Sequence, residues 1–313
     1  MTVPSVGISV SGAVARPSTP GFGRQVLSRR SGLIGVAILL VFAVLAVIPD
    51  LIVGPLQTAV TATGHRLQAP TAQHLLGTDE IGRDVLNLTV HGTRIAMVIG
   101  LLATLITVFL GGLIGVISGY VGGWIDTILM RISDFFLVLP TFVLALILTS
   151  MIKGALGSGA KEFLGIRFGL IAIVIVIGIT SWSSTARIIR AQTLSLKERA
   201  FVDRARAIGA GNGHIMLHHI LPNVVNLLVA NTVLVFAGAV LTETALSFIG
   251  LGDPFQPSWG QILNAAETAG AAGLGAWWYF VPAGACIVLV VLAFTMVGSA
   301  VDDVLNPRQR GRR

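Results

Sequence analysis

The feature that most constrains this chain is a set of six long apolar runs. They cover residues 33–48, 95–118, 135–152, 168–182, 224–241 and 280–301. A helix of about 20 residues crosses the hydrocarbon core of a bilayer, and the two shortest runs reach that length through small neutral flanks. Strands of a membrane barrel would alternate apolar and polar residues, which these runs do not. The sequence therefore predicts an all-α polytopic membrane protein with six transmembrane helices.

The composition agrees with this prediction and leaves little chain for anything else. Hydrophobic residues make up 54% of the 313 residues and charged residues 11%, with a mean hydropathy of +0.86. We expect one membrane domain over residues 31–303, a disordered N-terminal tail over residues 1–30 and a basic C-terminal tail over residues 304–313. A sizeable soluble catalytic domain does not fit in the remaining length.

Lys and Arg are distributed unequally among the segments that connect these runs. Residues 1–30, 119–134, 183–223 and the C-terminal tail together carry 15 of the 21 Lys and Arg residues. Cytoplasmic segments of membrane proteins are enriched in these residues. Both termini and the 183–223 connection are therefore predicted to face the cytoplasm. The same rule accounts for the net charge of +7 without a nucleic-acid partner.

Several small or polar residues interrupt the apolar runs. Gly111, Gly115 and Gly119 are spaced by four, so one helix face presents bare backbone to a neighbouring helix. Asn226 and Asn231 are expected to form hydrogen bonds between helices. Glu243 lies near the outer end of its run, where it either reaches the headgroup region or lines a pathway through the membrane. We retain Glu243 as a candidate pathway residue.

We find no set of residues in the sequence that would make the chain an enzyme. The single cysteine, Cys286, excludes an intramolecular disulfide and a cysteine-based metal site. His214 and His218 are four residues apart, but the Glu of the helical zinc motif is missing between them. We therefore expect no catalytic residue, no metal and no cofactor bound by this chain.

The 183–223 connection is the longest predicted cytoplasmic segment and carries its own helical pattern. Residues 197–208 are predicted to form a short helix, with Phe201, Ala205 and Ile208 along one apolar face. The helix is expected to stop at Gly209. A second short segment, residues 214–221, is then expected to end at Pro222. Two short helical segments joined by a sharp turn fit a groove on a partner protein. The alternative is an amphipathic helix lying on anionic lipid.

This segment resembles the EAA loop of ABC-importer permeases. In that pattern Glu-Ala-Ala is followed after three residues by Gly and, further on, by Leu-Pro. Asp203, Arg204 and Ala205 stand at the Glu-Ala-Ala positions, Gly209 at the glycine, and Leu221 with Pro222 at the Leu-Pro. Asp replaces Glu and Arg replaces the first Ala, while the acid, the small residue and the turn glycine are kept.

Five further motifs resemble one branch of that family, the C-type permease subunit of dipeptide and oligopeptide (peptide/nickel) importers. The motifs are GTDEIGRDV (77–85), GYVGGWIDTILMRISD (119–134), ETALSFIGLG (243–252), PSWGQIL (257–263) and LNPR (305–308). They are dispersed in the expected order, and the similarity covers nearly all of residues 28–308.

The resemblance implies a type I ABC importer in a bacterial cytoplasmic membrane. The chain would pair with a homologous second permease subunit, two cytoplasmic ABC ATPases that bind ATP and Mg, and an extracytoplasmic substrate-binding protein that delivers peptide. It also implies a coupling helix that docks on one ATPase. The residues assigned to it are Phe201, Val202, Asp203, Arg204, Ala205, Arg206, Ala207, Ile208, Gly209 and Ala210.

Two other readings of the sequence remain open. A permease of the same family could carry nickel or another small solute, because the binding protein largely chooses the cargo. A channel or secondary transporter could work without ATP, although the sequence has no obvious inverted repeat and no charged residue in mid-span for coupling.

Overall fold

The computed structural model describes residues 22–156, 162–163 and 166–305, and almost all of them are helical. The helices are α1 (Phe22–Leu27), α2 (Arg30–Val47), α3 (Pro49–Val53), α4 (Val85–Val121), α5 (Gly123–Val138), α6 (Thr141–Leu156), α7 (Phe168–Lys197), α8 (Ala200–Ala207), α9 (Asn212–Ile215), α10 (Leu221–Leu246), α11 (Trp259–Thr268) and α12 (Trp277–Leu305). A two-stranded antiparallel hairpin, β1 (Glu162–Phe163) and β2 (Ile166–Arg167), precedes α7.

Within these described residues, five helical stretches are long and apolar enough to cross a membrane. They are α2, α4, α7, the stretch from α9 through α10, and α12. The pair α5 and α6 makes a sixth crossing if it counts as one span, although it bends by 91°. The prediction of an all-α polytopic membrane protein is confirmed.

The centre of the fold is the pair of α4 and α7, which run parallel to each other and approach closely along a row of glycines. A Cβ built on Gly111 would lie 2.6 Å from the Cβ of Thr185, and one on Gly115 would lie 2.6 Å from the carbonyl oxygen of Ala186. At Gly119 the nearest atom would be the Cβ of Thr193, at 2.7 Å. Glycines at a spacing of four therefore face α7 over about two turns.

Helices α10, α12 and α2 pack around this pair. Asn231 of α10 donates to the Thr185 hydroxyl of α7 at 2.8 Å, a hydrogen bond between helices of the kind that the sequence predicts. The rings of Phe236 in α10 and Phe294 in α12 stack with centroids 4.0 Å apart. Asn226 is exposed on the isolated chain.

The connections collect at two ends of this bundle. At one end the last turn of α4 meets the segment between α7 and α10, because the Tyr120 hydroxyl donates to the side-chain oxygen of Asn212 at 3.1 Å. At the other end Trp259 of α11 donates to the Thr89 carbonyl in the first turns of α4, at 3.1 Å. The Lys- and Arg-rich 183–223 connection lies at the Tyr120 end, which we call the inner end, and the opposite end is the outer end.

Two sequence-based boundaries are wrong. The predicted third span, 135–152, begins inside α5 and runs across a helix break, because Pro140 lacks the backbone N–H that a continuous helix would need. The predicted disordered tail ends before residue 30, since residues 22–27 form α1. Val26 of α1 is buried against Ala230, Ala300 and Val301, which explains why this short helix is ordered. Residues 306–313 of the C-terminal tail lie outside the described residues.

Candidate functional site: the inner-end helix α8

Helix α8 is attached to the inner end through one buried face. Val202 and Ala205 belong to an apolar cluster that combines the last turns of α4 and α7 with the first turns leading into α10. The other buried members are Val116, Tyr120, Ile189, Leu196, Ile215, Ile220 and Val224. Ala205 is 4% exposed, so a larger side chain would have to displace this cluster. The small residue of the EAA-like pattern therefore has a packing reason.

The opposite face of α8 is exposed and mixes charge with one large apolar side chain. Asp203, Arg204, Arg206 and Ala207 are exposed, and Ile208 is 86% exposed. Arg206 contacts Asp203 at 3.4 Å, an exposed ion pair of small energetic value. Ile208 is thus the one large apolar side chain at the tip of an otherwise charged face of α8.

The end of α8 has a Schellman motif centred on Gly209. The amide of Ala210 donates to the Ala205 carbonyl at 3.0 Å, and the amide of Gly209 donates to the Arg206 carbonyl at 2.9 Å. Gly209 has φ of +88°, and no atom lies within 4 Å of where its Cβ would be. The glycine is therefore required by backbone conformation and not by space, because a residue with a Cβ is strained at this φ.

Tyr120 is a residue of this site that sequence reasoning missed. Its ring is 4% exposed and lies under two cations, with Lys197 Nζ 5.7 Å and the Arg206 guanidinium 5.8 Å from the ring centroid. Its hydroxyl bonds Asn212, as described above. The tyrosine thus connects α4 with both sides of α8 through one side chain. Its place next to Gly119, in a motif singled out from the sequence, was the available signal.

The helix boundaries around α8 differ from the sequence prediction. Helix α7 continues to Lys197, and α8 begins only at Ala200, so the predicted helix 197–208 is interrupted at residues 198–199. The predicted apolar face is also divided, because Ala205 points into the cluster, Phe201 is half-buried and Ile208 points out. The buried face is instead built on Val202 and Ala205, a spacing of three that suits a helix of two turns.

Pro222 does not end the segment before it, contrary to the sequence prediction. Helix α9 continues through a π-helical turn, Met216–Ile220, into α10, which starts at Leu221 with the proline in its first turn. Proline is tolerated in the first turn of a helix, where its missing N–H is not needed. The π turn before α10 has a wider hydrogen-bond spacing, so α10 can begin at this point without a gap in the helix. The result is a stiff connection from α8 to the α10 span.

The three histidines of this segment lie close together, and two of them stack. The rings of His214 and His218 are 4.2 Å apart, and His219 lies edge-on to His214 at 5.8 Å. The described part of the chain contains no group of three or more His, Cys, Asp or Glu side chains arranged to hold a metal ion.

Two acids of the 119–134 motif attach α5 to α7. Arg190 donates to both carboxylate oxygens of Asp126, each at 2.6 Å, and Arg187 pairs with Asp134. Bidentate pairs of this kind fix orientation as well as distance. Gly122 and Gly123, both with positive φ, form the turn between α4 and α5.

The outer-end motifs form a second polar assembly. Within residues 77–85, Asp79 is fully buried and accepts from the Arg83 side chain at 2.6 Å. Asp84 caps α4 by accepting from the amides of Leu86 and Asn87. Tyr279 of α12 donates to Glu80. The acidic and basic residues of this motif are thus used to fold the outer loop.

Glu243 is fully buried beside the outer end of α10. The Ser247 hydroxyl donates to one of its carboxylate oxygens at 2.7 Å. Ser258 caps the neighbouring α11 through its own side chain, and Gly260 of α11 lies against the Thr244 carbonyl. This position in the contact between α10 and α11 supports a structural part for Glu243.

These features define a class of protein: a polytopic helical membrane protein with a small two-faced helix attached to one end of its bundle. The profile of the family described as "Binding-protein-dependent transport system inner membrane component" matches residues 111–311. The chain belongs to this family, which has the type I importer permease fold. The recognition from sequence motifs as an ABC-importer permease is confirmed, and so is the localisation in a membrane.

The chain is also similar to several individual permeases. It is 38% identical over 241 residues to a protein named as a peptide permease in Brucella suis, covering 77% of this chain and 75% of the relative. It is 33% identical over 288 residues to the dipeptide transport system permease protein DppC of Alkalihalophilus pseudofirmus, covering 92% and 89%. A second Brucella suis protein, named for a peptide transport system, is 34% identical over 286 residues, covering 91% and 90%.

Proposed function

We propose that this chain is one permease subunit of an ATP-driven importer for dipeptides or oligopeptides. The family supports a transport subunit that is not itself catalytic, and the relatives above are named for peptide or dipeptide transport. These names support the peptide branch over the alternative of nickel or another small solute.

The observation that carries the coupling part of the proposal is the two-faced geometry of α8. One face is buried in the cluster that unites α4, α7 and α10, and the other ends in the exposed Ile208. A helix of eight residues has no stability of its own in water, so its position depends on the buried face. A displacement of the exposed face of α8 is therefore transmitted to α4, α7 and α10 together.

In this mechanism α8 is the coupling helix and docks on one cytoplasmic ATPase. ATP binding closes the ATPase pair, and the coupling helices of the two permeases move with it. The spans change state because the ATPases interact differently with the two arrangements, as any ligand-driven switch requires. Gly209 sets where the helix ends, and Asp203, Arg204 and Arg206 orient the docked face by charge.

The partners follow from this mechanism. A homologous second permease completes the pathway, and an extracytoplasmic binding protein delivers peptide to the outer end. ATP and Mg belong to the two ATPases, while this chain performs no covalent chemistry and needs no cofactor. Placement of the inner end and both termini in the cytoplasm rests on the excess of Lys and Arg there.

An amphipathic helix resting on anionic lipid is the competing reading of α8. Such a helix would direct its apolar side chains to one surface, into the membrane. In α8 the apolar side chains Val202 and Ala205 are already buried in protein, and the exposed Ile208 stands at the helix end beside a charged face. This arrangement favours a protein partner.

The test is to replace the apolar tip of α8 and measure what remains bound. Ile208→Asp should weaken co-purification of the ATPases in mild detergent on the order of tenfold, since a fully buried isoleucine contributes about 2 kcal/mol. Dipeptide uptake should fall in parallel. Val60→Asp is the matched control, because Val60 is 93% exposed at the outer end.

The outcomes are distinct. Loss of the ATPases with Ile208→Asp but not with Val60→Asp supports coupling through α8. Full ATPase recovery and unchanged uptake with Ile208→Asp contradict it. A wild-type chain that purifies without a second permease or ATPases, and transports without ATP, overturns the importer itself.

A further inference from the structure

The break between α5 and α6 is the feature that the proposed function leaves unexplained. The two helices bend by 91° over residues 139–140, where Leu139 is extended with φ of −76° and ψ of 132°. Pro140 has no N–H to continue the helix. The last carbonyls of α5 and the first amides of α6 lack partners within their own helices, as at any helix end.

The break lies at mid-depth in the bundle. The ring of Phe136, two residues before the end of α5, is 5.6 Å from the ring of Trp182. Ser133 donates to the Ser183 carbonyl at 3.4 Å. Trp182 is about 21 Å along α7 from its outer end at Phe168. Since the hydrocarbon core is about 30 Å thick, this level is inside it.

The break is open on the isolated chain. Val138 is 81% exposed, and Pro140 and Thr141 are exposed as well. Backbone groups without partners are not found against lipid, where an unsatisfied N–H or C=O costs several kcal/mol. Irregular backbone at this depth occurs where it is covered by protein or lines water. Lipid is therefore excluded as the neighbour of this surface.

A second observation indicates that the surface at the break faces water and not another protein. Asp134, one turn before the end of α5, pairs with Arg187, and their side chains are 41% and 50% exposed. A protein partner packed here would have to remove this ion pair from water. The desolvation free energy of the two charges then exceeds their mutual attraction unless the geometry is excellent. An aqueous surface keeps both charges hydrated.

We propose that residues 138–141 line the water-filled pathway and that peptide cargo passes against this break. This inference rests on the proposed function, because it deepens the description of the cargo route. At the break, the last carbonyls of α5 and the first amides of α6 lie at the same depth in the bundle. These groups can bond the amides of any peptide irrespective of its side chains. Recognition of backbone suits a transporter whose cargoes share only the peptide bond.

The test uses single cysteines in the assembled transporter. Cys286→Ser removes the one native thiol, and Val138→Cys or Thr141→Cys is then added. The charged, membrane-impermeant methanethiosulfonate MTSET reacts with the thiolate, which forms in water and not in lipid. Phe109→Cys is the matched control, since Phe109 is 68% exposed on α4, two residues before Gly111, which faces Thr185 of α7.

We expect MTSET to react with residues 138 and 141 on the order of tenfold faster than with residue 109. Phe109 lies within the continuous helix α4, whose internally bonded backbone can face lipid, and lipid excludes the charged reagent. Reaction should block uptake of radiolabelled dialanine into proteoliposomes, and excess dialanine should slow the reaction. Equal, slow reaction at all three positions in a transporter that still takes up dialanine overturns the inference. Fast reaction without protection by dialanine overturns the cargo contact. Failure of ATP-dependent dialanine uptake in unmodified wild type would instead refute the proposed function.

Discussion

At the scale of single residues, backbone conformation places the strictest requirement on residue type. Gly209 and Gly211 illustrate the difference, because both are glycines in the same short turn with open space around them. Gly209 has φ of +88°, whereas Gly211 has φ of −69° and ψ of 157°, which any residue adopts. The sequence marks both as turn residues, and the geometry shows that one of them depends on being glycine.

We predict that Gly209→Ala reduces dipeptide uptake by a factor of a few, while Gly211→Ala leaves it unchanged. The left-handed conformation costs an alanine about 1–2 kcal/mol, which disorders the end of α8 without affecting the spans. Gly209→Pro should abolish uptake, since proline cannot adopt this φ and loses the bond from the Gly209 amide to the Arg206 carbonyl. Uptake normalised to the amount of inserted protein is the measurement.

This residue-scale assignment has a clear contrary outcome. If Gly209→Pro inserts at the wild-type level and transports normally, the Schellman end of α8 has no part in coupling. If the two alanine variants lose equal activity, the loss belongs to the turn as a whole and not to the positive φ of Gly209.

At the scale of helices, the approach of α4 and α7 controls the core of the fold. The glycine spacing in α4 predicts a close contact with some neighbouring helix but does not identify that helix. The structure assigns the contact to α7, with Thr185, Ala186, Ile189 and Thr193 against the glycine row. Likewise Asp126 lies within the 119–134 motif, but only the packed helices show its pairing with Arg190.

We predict that Gly115→Val lowers the thermal stability of the purified chain in detergent, whereas Gly238→Val does not. A Cβ at Gly115 would lie 2.6 Å from the Ala186 carbonyl oxygen and 2.7 Å from the Ile189 Cβ. Overpacking of this kind typically costs about 1–3 kcal/mol. Gly238 of α10 has no atom within 4 Å of its Cβ position, so valine fits there. Equal melting temperatures for the two variants would show that α4 can move away from α7 without cost.

At the scale of the whole molecule, the unequal distribution of Lys and Arg predicts the orientation in the membrane. We predict that, in the Cys286→Ser background, an impermeant maleimide labels Val60→Cys in spheroplasts with an intact inner membrane. Leu217→Cys should be labelled only after the membrane is opened. Both side chains are exposed, and they lie at opposite ends of the bundle. The reverse pattern would refute the cytoplasmic placement of α8 and of both termini.

The sequence alone determined the class of the protein, the apolar middle of most spans, and the turn at Gly209. These are local properties, because hydropathy, charge and a glycine in a turn act along the chain itself. The tertiary structure alone decided the 91° bend between α5 and α6, the burial of Val202 and Ala205, and the part played by Tyr120. An apolar run continues through Pro140 in the sequence, so its hydropathy contains no sign of the bend. Which face of α8 is buried depends on the ends of α4, α7 and α10, and α4 ends at Val121, far along the chain from the start of α8 at Ala200. Such contacts follow from packing between helices, and no local pattern encodes them.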